Sequence, residues 1–199
     1  MIYSIATNDL KAVSLAMANK DIRYYLNGVL FELDNAEGYR LVGTDGHRLH
    51  IIDKKKCTNM THEIIMPSDT VKQLCKLKPQ TFEIEIIPGA TRHIKIRTGA
   101  GFITVPEVEG KYPDYRRFMP KQLLPQIEPA HYMPEYLADL AKAQKILGTK
   151  EKHGYIAQQG SKGGVYVSNE KSFYAIIMPL RYDAPEKAEF EKGLAKVQS

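Results

Sequence analysis

Cysteine is scarce in this sequence. Cys57 and Cys75 are the two it has, and their spacing fits neither a metal knuckle nor a disulfide framework, which suits a reducing, cytoplasmic setting. No apolar run approaches the ~18 residues that a membrane-crossing helix takes. The start, Met1-Ile2-Tyr3-Ser4, lacks the basic and apolar regions of a signal peptide. Chemistry is scarce as well. There is no His-Glu-x-x-His, no cysteine pair, no cluster of carboxylates and no Ser or Cys nucleophile motif. His47 and His50 are three apart, so on a strand they point to opposite faces and make poor joint ligands. Gly160–Gly164 is glycine-rich but lacks the spacing and the strand-to-helix context of a phosphate loop, and reads as a hairpin. The expectation is a protein that is not an enzyme and holds neither metal nor cofactor.

What is present is ordinary for a globular protein: 199 residues, 43 % hydrophobic and 26 % charged. That is enough chain for one or two domains with a real core. The formal net charge is +5 with a pI of about 9.0, which permits contact with a polyanion without requiring it.

The main feature is internal repetition. Tyr3–Leu10, Ile64–Val71 and Ala130–Leu137 each read as a short strand running into a helix. The last two share Met-Pro, and Pro is free of cost in a first helical turn because its missing N–H would be unpaired anyway. Alternating, β-prone runs follow each helix. They are Ile22–Asp34, Tyr39–Thr44 and Arg48–Lys54; then Thr81–Ile87, Thr91–Arg97 and Gly101–Pro106; then Tyr155–Gln158, Gly164–Ser168 and Ser172–Pro179. The chain reads as α+β, three copies of one β-α-β-β-β unit.

Each helix is amphipathic. Leu10, Val13 and Met17 share the inner face of the first, Val71, Leu74 and Leu77 that of the second, and Leu137, Leu140, Gln144 and Leu147 that of the third. Lys11 flanks the first, Lys72 and Lys76 lie opposite the apolar face of the second, and Lys142 and Lys145 lie away from that of the third. One such helix is an ordinary solvated surface; three side by side would pool these lysines into a basic surface for nucleic acid.

Within the first unit, Thr44-Asp45-Gly46 separates two apolar runs, a strong hairpin signal because Gly accepts positive φ and Asp tolerates it. The turn presents Gly46, His47, Arg48 and Leu49 together at a strand start. Gly110–Pro120 reads as a connector, and the prolines of Lys121–Pro129 suggest a domain linker. In the tail from Asp183 to Ser199, Phe190, Leu194 and Val197 allow a short amphipathic helix, marginal without a docking surface.

Three segments carry a resemblance: Asp21–Glu32 with its Arg23-Tyr24-Tyr25-Leu26, Thr44–Leu49, and Tyr112–Pro120. Together they closely resemble the middle domain of the bacterial DNA polymerase III β subunit, the β sliding clamp. Ala175–Arg181 resembles the C-terminal end of the same family. The resemblance implies a DNA-clamp fold, in which pairs of β-α-β-β-β units make a domain, helices line a DNA channel and sheets form the outside. On that pattern residues 1–120 are one complete clamp-like domain and 121–182 half of another, with 183–199 a tail. The family's first domain and the first half of its last domain have no counterpart here.

The resemblance also implies a binding site for linear peptides of polymerases and related factors. Matched position by position, one wall is Leu26, Thr44, Gly46, His47, Arg48 and Leu49. Pro113, Arg117 and Phe118 come from the connector and Tyr136 from the third helix. Ile176, Ile177, Met178, Pro179, Leu180 and Arg181 come from the last strand. Arg23, Tyr24 and Tyr25 match a family loop that touches DNA. Where family members often place a basic pair after Pro at the second helix start, this chain has Ser68 and Asp69, which lowers the expected affinity for duplex. The implied function is a clamp-like binding protein of replication and repair, a processivity factor if it closes into a ring. The alternatives are a decoy competing with a full-length clamp, or an enzyme reusing the fold. Because units normally pair, the third lacks an intramolecular mate. A homo-oligomer, formed as a dimer through two third units, competes with a monomer whose tail covers the bare flank.

Overall fold

The structure, a computed structural model, describes residues 1–34, 38–54, 60–119, 131–148, 155–158, 164–170 and 172–180; the side chains of 60, 155–158 and 165–170 fall outside the description. β1 (Ile2–Ala6) runs directly into α1 (Thr7–Ser14), and β2 (Gly28–Asp34), β3 (Tyr39–Thr44) and β4 (Arg48–Lys54) follow. β5 (Met60–Pro67), α2 (Ser68–Leu77), β6 (Thr81–Ile87), β7 (His93–Thr98) and β8 (Gly101–Pro106) repeat the pattern. The third unit contributes α3 (Pro134–Leu147), β9 (Tyr155–Gln158), β10 (Val165–Glu170) and β11 (Phe173–Ile177). The chain is α+β, two antiparallel sheets with few helices.

The first strand of each complete unit does not join its own sheet. β1 pairs with β6, and β5 pairs with β2, so the two units are mutually closed. The sheets run β1-β6-β7-β8 and β5-β2-β3-β4-β11-β10-β9. The second is long because β11 adds antiparallel to β4, with Ala175 opposite His50 and Ile176 opposite Leu49.

Alternation in the strands explains the core. Phe82 and Ile84 of β6 and Ile94 and Ile96 of β7 point inward beneath α2 and join Leu10, Val13, Val71 and Leu74 in one large cluster. α1 packs against both α2 and α3. It also presses onto β3, where a Cβ on Gly43 would lie 2.5 Å from the Val13 carbonyl oxygen, so only glycine fits there. β2 is buried along its whole length. The reason is a second apolar cluster on the other face of the sheet, where the connector folds back: Tyr112 and Tyr115 pack with Leu30, Val42, Ile51 and Ile65. Strands covered on both faces read as continuous apolar runs rather than alternating ones.

That connector is pinned by one buried carboxylate. Glu32, 1 % exposed, accepts from Arg116 (2.5 Å), from the Tyr115 hydroxyl (2.8 Å) and from Arg40 (3.1 Å). Arg40 also donates to Asp53 at 2.6 Å. A buried charge is tolerable when its lone pairs are filled by charged donors in this way.

Several expectations are corrected. The strand expected before α3 is reduced, among the described residues, to a single bridge between His131 and Leu180. α1 ends at Ser14, so Met17 lies beyond it. Leu77 is 57 % exposed although it shares the face of Val71 and Leu74, because α2 stops there, with Lys78 closing it in the left-handed region (φ 52°). The inner face of α3 is set by Leu140 and Ala143 rather than Leu137. The helix packs against α1, and that neighbour selects which stripe is buried. The linker beyond Met119 and the tail from Arg181 lie outside the described residues.

Candidate functional site

The β3–β4 turn is built by its own side chains. Asp45 accepts the N–H groups of His47 (2.9 Å) and Arg48 (3.0 Å) on one carboxylate oxygen. Thr44 accepts the Gly46 N–H at 3.0 Å and donates to the Arg48 carbonyl at 2.6 Å. Gly46 takes φ +91°, a conformation other residues adopt only with strain. This is local chemistry that Asp, Thr and Gly supply wherever they meet in this order.

Arg48 is then fixed from three sides. It donates to Asp45 at 3.0 Å, pairs with Asp139 of α3, and stacks 4.4 Å above the Tyr136 ring. Burial works against ionisation of Asp139, but hydrogen bonds from Lys142 and Arg48 outweigh it and hold the carboxyl below its usual range. One guanidinium thus joins the first unit to the third.

Beside it opens a cavity of about 180 Å³. An apolar cavity of about 150 Å³ takes a benzene ring, so this one has room for a large apolar side chain. Leu26 sits in it from the 3-10 turn at Tyr24–Leu26, and Thr44, Gly46, Arg48 and Leu49 line it from the hairpin. Pro113, Tyr115 and Phe118 enter from the connector and Ile176 and Met178 from β11 and its end. Arg23 closes the rim. It is chelated by Asp21 at 2.7 and 3.0 Å and donates to the Asp45 carbonyl at 3.1 Å. Those hydrogen bonds lower the Asp21 carboxyl to about 2.

The remaining residues matched from the sequence lie around this cavity rather than in it. His47 is exposed, and its carbonyl accepts the Met178 N–H at 2.8 Å, which pins the end of β11. Arg117 is surface-exposed and pairs with Asp114 at 3.1 Å. Tyr136 lies under Arg48, one layer back. Ile177 faces the opposite side of the sheet and is fully buried in the large core, as alternation along a strand requires. Pro179 is half-buried and Leu180 38 % exposed; Arg181 lies outside the described residues. Sequence matching did not single out Tyr115 as a wall. Its signal was present in the Tyr112–Phe118 run, an aromatic beside paired arginines, with Glu32 far upstream as the anchor.

On the helix side, Lys72, Lys76, Lys142 and Lys145 are exposed and Lys11 half-buried. Lys72 contacts Asn19 at 3.0 Å and Lys142 contacts Asp139 at 2.7 Å. Tyr24 is 58 % exposed and meets Tyr25 edge-to-face at 5.7 Å. Among the described residues no group of His, Cys, Asp or Glu is placed to hold a metal ion, and no helix is long and apolar enough to cross a membrane.

Mutually closed β-α-β-β-β units with helices on one side and a cavity at the seam define a sliding-clamp fold. The family model for the central domain of the DNA polymerase III beta subunit matches residues 5–114, and the chain belongs to that family. The beta sliding clamp of Pseudomonas aeruginosa is 39 % identical over 126 residues, 60 % of this chain and 34 % of its own length. That of Escherichia coli K12 is 34 % identical over 113 residues, 56 % of this chain and 31 % of its own. The matches span about a third of these curated relatives. Among solved structures, the P. aeruginosa sliding clamp with ligand superposes with a TM-score of 0.71 at 22 % identity, covering 92 % of this chain and 67 % of that one. The Thermotoga maritima beta subunit gives 0.73 at 14 % identity over 92 % and 66 %. These show the fold. A further P. aeruginosa clamp structure, with a TM-score of 0.69, holds griselimycin.

Proposed function

We propose that the cavity at the seam binds short linear peptides of replication and repair proteins, and that the protein acts as a clamp-like scaffold rather than an enzyme. The observation that carries this reading is convergence. Leu49, Pro113, Phe118, Ile176 and Met178, distant in sequence, line one small apolar cavity rimmed by two fixed arginines. Such a site buries one or two anchor side chains and orients the peptide by a few polar groups. Griselimycin binding by a clamp of the same family is consistent with it. Titration calorimetry tests it: a peptide of Gln-x-x-Leu-Phe type should bind in the micromolar range, about −8 kcal/mol. Met178→Ala or Phe118→Ala, at half-buried and exposed positions, should weaken binding about tenfold without loss of fold. No binding of any such peptide refutes the site.

The helix lysines extend the proposal to duplex DNA, held weakly and without sequence preference. Arg23, matched to a DNA-touching loop, also lines the rim of the cavity, where Asp21 and the hairpin engage it. Asp69, 97 % exposed at the start of α2, opposes phosphate there. Fluorescence anisotropy should show affinity falling steeply as salt rises; tight, salt-insensitive binding would contradict phosphate contact. Processivity follows only if copies close around DNA.

A further inference from the structure

The two walls of the cavity are held in different ways. On the β11 side, Ile176 is 2 % exposed and lies in the sheet opposite Leu49, and Met178 is fixed by its N–H on the His47 carbonyl. On the connector side, Phe118 is 57 % exposed, so its own packing does not set where the ring lies; its backbone does. That backbone is a single 3-10 turn, Tyr115–Phe118, in which side chains three apart lie on one face. Tyr115 and Phe118 accordingly line the cavity together. The Tyr115 side chain reaches through the wall: its ring lines the cavity while its hydroxyl donates to one oxygen of Glu32 at 2.8 Å. Arg116, on another face of the turn, donates to the other oxygen of that carboxylate at 2.5 Å and stacks 4.7 Å from the Tyr115 ring. Tyr112, 3 % exposed, anchors the start of the connector by donating to the Val42 carbonyl at 3.2 Å.

We infer that Glu32 is a positioning residue of the candidate site, an inference that rests on the peptide reading of this cavity. Glu32 is 1 % exposed and does not line the cavity, so it meets no peptide itself. It acts through Tyr115 and Arg116, which hold the turn that carries Phe118. A wall fixed before the peptide arrives removes the ordering of that wall from the cost of binding. A wall docked only part of the time lowers the apparent affinity by the docked fraction. A carboxylate suits the task. Hydrogen bonds from charged donors are stronger than neutral ones. Undocking the connector would also take two donors from a buried charge, which is costly to leave short of partners. The filled carboxylate and the docked wall therefore stabilise one another. The opposite wall does not depend on Glu32, because β4 and the His47 carbonyl hold it.

The test joins binding kinetics to hydrogen exchange, both on the full-length protein. Arg116→Met removes one tether and leaves Glu32 with Tyr115 and Arg40. The side chain it changes is 45 % exposed and outside the cavity lining, so the fold should survive. Tyr115→Phe, which keeps the ring and deletes the hydroxyl, is the second variant. A peptide of Gln-x-x-Leu-Phe type should bind Arg116→Met about tenfold more weakly, with the loss in the association rate, because the wall is docked less often when the peptide arrives. Loss of a direct contact would instead raise the dissociation rate. Without peptide, the amides of Arg117 and Met119, which bond to the Asp114 and Arg116 carbonyls, should exchange several-fold faster than in the parent, while those of β4 stay unchanged. Tyr115→Phe should do the same to a smaller extent. Faster exchange with unchanged affinity overturns the proposal, because the tether would then support the fold alone. Faster dissociation with unchanged exchange overturns it by making Arg116 a direct contact. A parent protein that binds no such peptide refutes the peptide reading and the positioning role with it; parent binding that both variants match refutes the positioning role alone.

Discussion

β4 and β8 hold the same place in the repeated unit, yet they live in different surroundings. β11 is laid along β4, and four consecutive residues of β4, Leu49 to Ile52, are buried. β8 ends its sheet and has no fully buried residue; Phe102 on it is 68 % exposed. The candidate site sits at the covered strand and not at the bare one. The difference teaches that the cavity is not a property of the hairpin. The hairpin supplies Thr44 to Leu49 wherever it folds, but a cavity needs the opposing wall that β11 and the connector bring.

The largest effect should come from removing the seam's packing. Phe173, 1 % exposed on β11, meets His50 edge-to-face at 5.4 Å. Phe173→Ala should cost about 3–5 kcal/mol by the cavity it leaves, measured by denaturant unfolding. A loss below about 1 kcal/mol would mean that β11 does not pack on β4 as described.

Next is a pH effect confined to the same seam. His50 is fully buried, its Nδ1–H donating to the Ala12 carbonyl at 2.9 Å, and burial lowers its pKa from 6.5 to about 4. The folded state holds the ring neutral while the unfolded chain takes up a proton near 6.5. The contribution is therefore complete above that pH and is lost as pH falls toward 4, at most about 3 kcal/mol. Unfolding across this window should show the loss in the parent protein and not in His50→Gln. An equal acid slope in both would assign it to carboxylates instead.

The smallest effect should come from the bare strand. Phe102→Ala removes an exposed ring that meets the Lys95 ammonium at 5.2 Å, and should change stability by under about 1 kcal/mol. A cost approaching that of Phe173→Ala would show that β8 is covered in solution, and would erase the contrast between the two strands.

Much of the fold was legible because it rests on local chemistry. Strand alternation marked β3, β4, β6 and β8 at their observed limits, and Thr44-Asp45-Gly46 specified its turn through hydrogen bonds made within five residues. The repeat was legible because each unit carries its own apolar pattern. The reciprocal exchange of β1 and β5 was not, since an amphipathic strand has the same alternation whichever sheet receives it. Nor was the stripe of α3, where Ala143 is buried and Leu137 is not; periodicity gives a face, and the neighbour decides how it is turned.

The candidate site divides the same way. The sequence by itself determined the hairpin, the apolar strand ends and the aromatic connector, because propensity, turn chemistry and alternation act over a few residues. Only the tertiary structure decided that Arg23 belongs to the rim, that Tyr115 is a wall held by Glu32, and that Ile177 faces the core while Ile176 faces the cavity. Each of these depends on which groups are brought together from far along the chain, and on burial that makes an unpaired charge too costly to leave.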